Sequence, residues 1–388
     1  MSSKRVALAI NYDYHDYGGM LQAFATQRIL SKSGIDSEAI DFDNLKGDIN
    51  KRKWKYFLSN IFDLSIVNEK GKIIKKKIKQ KLNKKLGANL QKRDAAFDSF
   101  CVTNFKVSRK FKNWGDLKRS CKEYDSVVVG SDQLWLPSNV MADYYTLNFV
   151  PDDVNKVAYA TSFGIGEIPA KYEQAYAKFL SRINHLSARE SSGKSIIKKI
   201  VGRDVPQVCD PALLLDANGW DEVASPRIVP EKYIFCYFMG DNPDQRDFVK
   251  RLAKKAGCKI VALLHLDQFI ASDETYADFT PYDVTPADFV SLVKYADYVC
   301  TDSFHGTVFS IVYSRAFFTF MRFKKQATLS TNTRIESLLN TLGLMNRLFD
   351  GISSVEGSLT IENWAEVQQS VSILREKSLK YLLESIGL

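Results

Sequence analysis

The segment Thr301-Asp302-Ser303-Phe304-His305-Gly306-Thr307 sets a histidine just beyond an apolar run and at the opening of a helix-spaced stretch. Imidazole titrates near neutral pH, so His305 is a candidate general acid, with a core or helix-capping histidine as the structural alternative. Arg189, in Leu186-Ser187-Ala188-Arg189-Glu190, follows a short strand; Arg334, in Thr331-Asn332-Thr333-Arg334, opens a helix backed by Ile335, Leu338 and Leu339. A guanidinium grips carboxylate or phosphate through paired N–H groups, so the two arginines together suit a small dianion. Near the start, NYDYHDYGG places Gly18 and Gly19 before a helical stretch. Paired glycines let backbone amides approach an anion, and a tight turn is the competing explanation. Asp16 stands in that loop, and Asp132 ends Gly130-Ser131-Asp132. Tyr12, Tyr14, Tyr17 and Trp135 lie in or beside these loops, where core packing is the commoner fate of such rings. His185 and His265 flank apolar runs and read as structural, and His15 stays open. No HExxH, His and Cys cluster or EF-hand spacing occurs, so no resident metal is expected.

Such scattered groups need a frame that gathers distant loops. Apolar strand-like runs occur at residues 5–12, 37–41, 125–129 and 157–161, alternating with polar or glycine-bearing loops and helical stretches such as 20–30 and 171–184. The alternation restarts after 220–230, a stretch with Pro226 and Pro230 that reads as a linker. Residues 233–239, 259–264, 298–301 and 316–321 are then strand-like, and 245–256, 286–296 and 305–313 helical. The expectation is an α/β chain of two Rossmann-like, doubly wound parallel-sheet domains, 1–225 and 226–388, with a final helix near 361–386 that caps the second or crosses back to the first. Ligands of such sheets bind at the carboxyl ends of strands, which points to 13–19, 130–132, 162–164, Asp210 and 302–306.

With 388 residues and 45% hydrophobic content, the chain has material for two cores. The first residues run from a short basic start into a strand, and six cysteines without a CxxC pair read as reduced core residues of a cytoplasmic protein. The net charge of +9 is local: residues 46–93 hold 16 Lys and Arg against three acids. There Trp54, Phe57, Leu58, Ile61 and Phe62 form one helical stripe, and Ile74, Ile78, Leu82 and Leu86 recur every four residues among lysines. Both stripes either pack on the core or, over 51–86, lie at a membrane surface with lysines toward anionic lipid. Without an RNA- or DNA-binding motif, nucleic acid is not the expected partner.

NYDYHDYGGMLQAFATQ, VVVGSDQLWLP, AYATSFG, LSARESSG, VCDPALLL, YADYVCTDSFHGTVFSIVY and TNTRIESLLNTLGL, in this order, resemble the polysaccharide pyruvyl transferase family. The resemblance implies a GT-B-like pair of domains facing a cleft. It also implies ketal transfer from phosphoenolpyruvate, without another cofactor, to two hydroxyls of a sugar. A 4,6-ketal on a hexose such as galactose is the first expectation, in capsule, exopolysaccharide or cell-wall glycan synthesis. The acceptor would be free or undecaprenyl-linked, the latter at the inner face of the cell membrane. His305 matches the family's active-site histidine and Arg189 an arginine that looks donor-binding. Where relatives carry Arg two residues before that histidine, this chain has Ser303, which makes Arg334 the first choice for a further donor contact. Asn332, Ser131, Ser162, Gly18, Gly19 and Tyr17 complete the expected substrate-binding set, with Asp132 or Asp16 as base. The alternatives are a GT-B glycosyltransferase using a nucleotide sugar and a non-catalytic scaffold for glycan assembly at the membrane.

Overall fold

The computed structural model describes residues 4–60, 71, 83–265, 270, 273, 275–322, 333–349 and 363–388. Two five-stranded sheets carry the chain, and every strand pairing in them is parallel. The first contains β1 (Arg5–Ala9), β2 (Asp36–Ala39), β3 (Ser126–Asp132), β4 (Asn155–Thr161) and β5 (His185–Ala188), in the order β2-β1-β3-β4-β5. The second contains β6 (Tyr233–Tyr237), β7 (Lys259–Leu263), β8 (Tyr298–Thr301), β9 (Ala316–Phe320) and β10 (Leu348–Phe349), in the order β10-β9-β8-β6-β7. Strands such as Ser126–Asp132 (SVVVGSD) and Tyr233–Tyr237 (YIFCY) are buried on both faces, which explains their continuous apolar sequence in place of an alternating one.

Strand order reverses between β1 and β3 in one sheet and between β6 and β8 in the other. Crossovers leave these points in opposite directions, so a crevice opens at the carboxyl ends of the paired strands. The ends of β1, β3 and β8 lead to Asp16, Gly18 and Gly19, to Asp132, and to His305, while Arg189 follows β5 and Arg334 lies on the helix Thr333–Thr341.

Trp220, read from sequence as the start of a linker, belongs to helix Ala217–Asp221 and is a core residue. Its indole packs on Phe24 of the first half and Phe309 of the second, with Nε1 donating to the Ala212 carbonyl at 2.9 Å. β10 escaped the sequence reading because two residues cannot display a period. The helix Trp364–Ser385 begins on the second half, where Gln368 Nε2 donates to the Ile311 carbonyl. It ends on the first: Ser378 Oγ accepts from the Cys209 amide and Arg375 donates to the Leu213 carbonyl.

Of the two readings of the basic segment, core packing by the stripe does not hold for its first helix. Helix Lys46–Ser59 is held to the body through Ile49, Arg52, Tyr56 and the following Asn60. Arg52 pairs with Asp143 at 3.1 Å, Tyr56 lies against Tyr172, and Asn60 Oδ1 accepts from Lys171 and Tyr172. Trp54 and Leu58, by contrast, are 57% and 59% exposed, so the sequence stripe is not the docking face. Ile61, Phe62, Ile74, Ile78 and Leu82 lie outside the described residues. No helix among the described residues is long and apolar enough to cross a membrane. All six cysteines are free thiols, four of them buried.

Candidate active site

His305 is the second residue of helix Phe304–Val312, whose N-cap is Ser303 with its hydroxyl accepting from the Gly306 amide at 3.4 Å. That helix sits tightly on the end of β8: a Cβ on Gly306 would lie 2.5 Å from Thr301 Oγ1, so only glycine allows the approach that fixes the imidazole. On the other side the ring meets the first half of the chain. A Cβ on Gly18 would stand 2.0 Å from His305 Nδ1, so the bare glycine backbone is what makes room for the ring.

The Nε2 edge faces Asp210, whose Oδ2 lies 3.6 Å away. The same oxygen accepts from Arg189 Nη1 at 2.6 Å and from Ser131 Oγ at 2.7 Å, while Oδ1 accepts the Ala212 amide. Burial opposes ionisation of this carboxyl, but the charges of His305 and Arg189 outweigh it and hold Asp210 well below the usual carboxylate range. Arg189 is buried with Glu190 Oε2 3.6 Å from Nε and Asp132 Oδ1 3.9 Å from Nη2, contacts too long for hydrogen bonds, so both nitrogens lack a hydrogen-bond partner. Burial disfavours its charge, and Asp210, Glu190 and Asp132 more than offset this, raising its pKa.

Arg334 is buried in different company. Its Nη2 and Nη1 both donate to the Gln133 side-chain carbonyl, at 2.8 and 2.9 Å, once that amide is oriented to accept them. Burial first, then the nearby charges of Arg189 and Arg322, push its pKa down to about 9, so it is still cationic at neutral pH but in a region of crowded positive charge. Arg189 and Arg334 share a neighbour: their guanidinium carbons lie 4.5 and 5.9 Å from the centre of the Phe304 ring.

The two candidate bases approach each other around Gly19, whose Cβ position would be 3.1 Å from Asp16 Oδ2 and 3.5 Å from Asp132 Oδ2. Asp16 caps the helix Tyr17–Lys32, with Oδ2 accepting from the Gly19 amide at 2.6 Å. Asp132 ends β3 at φ 73°, a left-handed conformation that aspartate tolerates better than most residues, and its carboxylate is partly exposed. At the end of β4, Ser162 Oγ donates to Glu190 Oε1 at 2.7 Å.

Thus His305, Asp16, Asp132, Arg189, Arg334, Gly18, Gly19 and Ser131 converge. Ser131, Ser162 and Ser303 have their hydroxyls committed to Asp210, Glu190 and the helix cap, so they act on protein groups. Tyr17 does not belong with the ligand-facing set: its hydroxyl donates to the Val284 carbonyl at 3.0 Å and its ring stacks on Phe289 between the halves. Tyr12 and Trp135 are likewise core, which leaves Tyr14, 57% exposed, as the loop ring open to solvent among the four. His15 bridges Asp94 at 3.0 Å and Asp98 at 2.9 Å on helix Lys84–Asn104. Asn332 lies outside the described residues. Asp210 and Phe304 stand in loops that the sequence marked but to which it gave no role, and Glu190 and Gln133 were missed as site residues. Their signal was present, since each stands beside a strand-end loop or a chosen residue, but a buried acid read from sequence carries no sign of its partner. No group of three or more His, Cys, Asp or Glu suited to a metal ion occurs among the described residues.

The profile of the family described as polysaccharide pyruvyl transferase matches residues 16–322. The chain belongs to that family. The match spans the glycine loop, Asp132, Arg189, Asp210 and His305, and stops before Arg334. Among curated proteins, none matches the sequence. A UDP-N-acetylglucosamine 2-epimerase structure is similar at a TM-score of 0.51 and 10% identity, covering 98% of this chain and 95% of that one. A UDP-GlcNAc 2-epimerase from Methanocaldococcus jannaschii scores 0.45 at 10% identity, with 96% and 99% covered. An α-glucosyltransferase in complex with UDP and DNA scores 0.48 at 9% identity, with 98% and 95% covered. With the two parallel sheets, the first likeness shows a GT-B-like fold.

Proposed function

We propose that the chain transfers pyruvate from phosphoenolpyruvate to two hydroxyls of a saccharide, forming a cyclic ketal and releasing phosphate. The observation that carries this reading is the convergence of one imidazole and two buried guanidiniums at a junction of both sheets. A dianion with a carboxylate and a phosphate needs two cationic contacts. Arg334 is buried beside Arg189 and Arg322, where a bound anion would offset the crowded positive charge. Arg189, already paired with Asp210, offers its remaining N–H groups.

In this reading protonated His305 gives its proton to C3 of the enol, and C2 becomes electrophilic. The first sugar hydroxyl forms a bond to C2 and yields its proton to Asp132, whose carboxylate is the less committed of the two bases. The second hydroxyl then forms the other C2–O bond as the C2–O bond to phosphate breaks; its proton returns the imidazole to the cationic state, and the proton held by Asp132 passes to the phosphate, which leaves as hydrogen phosphate. Asp210 faces the Nε2 edge of the ring at 3.6 Å, and the Gly18 backbone packs beside Nδ1, so the two together fix where the imidazole stands. Fixed guanidinium groups meet the charge that leaves with phosphate, the type of preorganised contact that contributes most to catalysis.

The 4,6-ketal on a galactose-type hexose and the lipid-linked acceptor remain the favoured substrates within this proposal, by family resemblance. The test is a thermal shift with phosphoenolpyruvate and with UDP-sugars, on the parent and on Arg334→Ala. Stabilisation by phosphoenolpyruvate alone, lost in the variant, supports the reading. Stabilisation by a UDP-sugar and not by phosphoenolpyruvate overturns it in favour of glycosyl transfer.

A further inference from the structure

Helix Lys46–Ser59 turns a mixed apolar and cationic face outward. Lys51, Trp54, Lys55 and Leu58 stand at i, i+3, i+4 and i+7, which places them on one side of the helix, and all four are exposed. The opposite side is the one fixed to the body, through Ile49, Arg52, Tyr56 and Asn60. Trp54, edge-on to Phe57, and Leu58 one turn later each keep more than half of their surface exposed. Asp48 is the one acid in this helix, against Lys46, Lys51, Arg52, Lys53 and Lys55. Rings and aliphatic side chains interleaved with lysine match the headgroup boundary of a bilayer, where apolar groups enter the acyl edge and ammonium groups meet anionic lipid.

We infer that this face docks the protein on an anionic membrane surface, with Trp54 and Leu58 inserted and Lys51 and Lys55 at the headgroups. The charge decides the occupant: a second copy of the chain would set lysine against lysine, whereas an anionic bilayer complements it. The helix is also joined to the site. Lys46 in its first turn pairs with Asp13 at 2.5 Å, and Asp13 belongs to the loop that carries Asp16, Gly18 and Gly19. Docking by this face therefore sets the position of the glycine loop relative to the lipid. The inference rests on exposure and charge and does not depend on the pyruvyl-transfer reading.

The experiment is flotation of the full chain with vesicles of phosphatidylcholine alone and of phosphatidylcholine with phosphatidylglycerol, at low and high salt. The parent is expected to float with the anionic vesicles only, and less at high salt. Trp54→Ser/Leu58→Ser and, separately, Lys51→Glu/Lys55→Glu should each weaken binding by at least about tenfold while circular dichroism stays that of the parent. Absence of flotation overturns the inference. Undiminished binding of Trp54→Ser/Leu58→Ser also overturns it, since lysines elsewhere would then hold the lipid. A dimer in gel filtration that the same double variant dissolves would assign the face to a second copy and overturn it too. Phosphoenolpyruvate-dependent activity on a water-soluble acceptor should be unchanged in both variants, which separates this result from the fate of the catalytic proposal.

Discussion

Replacing Gly18 by alanine is the sharpest local test of the site, because it adds one methyl group at the contact between the two halves. The methyl would lie 2.0 Å from His305 Nδ1, 2.4 Å from Cγ and 2.8 Å from Cε1. An unstrained contact requires about 3.5 Å, so the ring must retreat by roughly 1.5 Å, or the halves must part by as much. Translation of the whole helix is blocked, since Gly306 already sits against Thr301. The ring therefore rotates, and its 3.6 Å approach to Asp210 is lost. A misplacement of about 1 Å reduces an oriented proton transfer by about a hundredfold, and overpacking of this kind destabilises by about 1–3 kcal/mol. The assay is phosphate release from phosphoenolpyruvate with a galactoside acceptor. Turnover should fall by about a hundredfold, while phosphoenolpyruvate still raises the melting temperature, because the arginines are untouched. Near-native turnover in Gly18→Ala would show that the ring position observed is not the one used in the reaction, and the acid role of His305 would fall with it.

Removing Asp210 with alanine leaves Arg189 buried without its closest counter-ion and should cost about 3–5 kcal/mol in urea unfolding. Because the pKa of Asp210 is depressed on folding, its stabilisation is present above the ordinary carboxylate range and is lost as pH falls below that range. Acid titration of stability should accordingly be flatter in Asp210→Asn than in the parent, and parallel curves would contradict the pairing. Arg334→Lys, which cannot reproduce the paired contact to Gln133, should raise the KM for phosphoenolpyruvate by at least about tenfold; an unchanged KM removes Arg334 from the donor site. Ser303→Ala should lose about 1 kcal/mol of stability through the helix cap but keep its donor KM, and a raised KM would restore Ser303 as a donor ligand. Trp220→Ala should destabilise by about 3–5 kcal/mol, measured by thermal unfolding, since its indole fills the junction between Phe24 and Phe309.

The strands that carry the site were readable because they are buried on both faces. VVV at residues 127–129 and YIFCY at 233–237 are continuous apolar runs, and the first leads through Gly130 to Ser131 and Asp132 at the site. His305 and Arg189 were readable for the same reason, as polar groups at strand ends. The partnerships were not. That one Asp210 oxygen holds Arg189 and Ser131 and also faces His305 depends on four segments, spread from residue 131 to residue 305, meeting at one point, which no local spacing encodes. Tyr17 illustrates the reverse error. Its position in the glycine loop suggested a ligand contact, but the first turn of its helix points it into the junction, where Phe97 and Phe289 enclose it. The stripe from Trp54 was correctly periodic, yet periodicity does not say which side of a helix is buried, and here Arg52 and Asn60 supply the docking contacts instead.

The central claim is tested most directly by mass spectrometry of a galactose-terminated saccharide after incubation with the protein and phosphoenolpyruvate. The account predicts a product heavier by pyruvate less water, with one phosphate released for each ketal formed and no product from His305→Ala. A saccharide left unchanged across a panel of free and lipid-linked acceptors, or one extended by a sugar when a UDP-sugar is supplied, would contradict it.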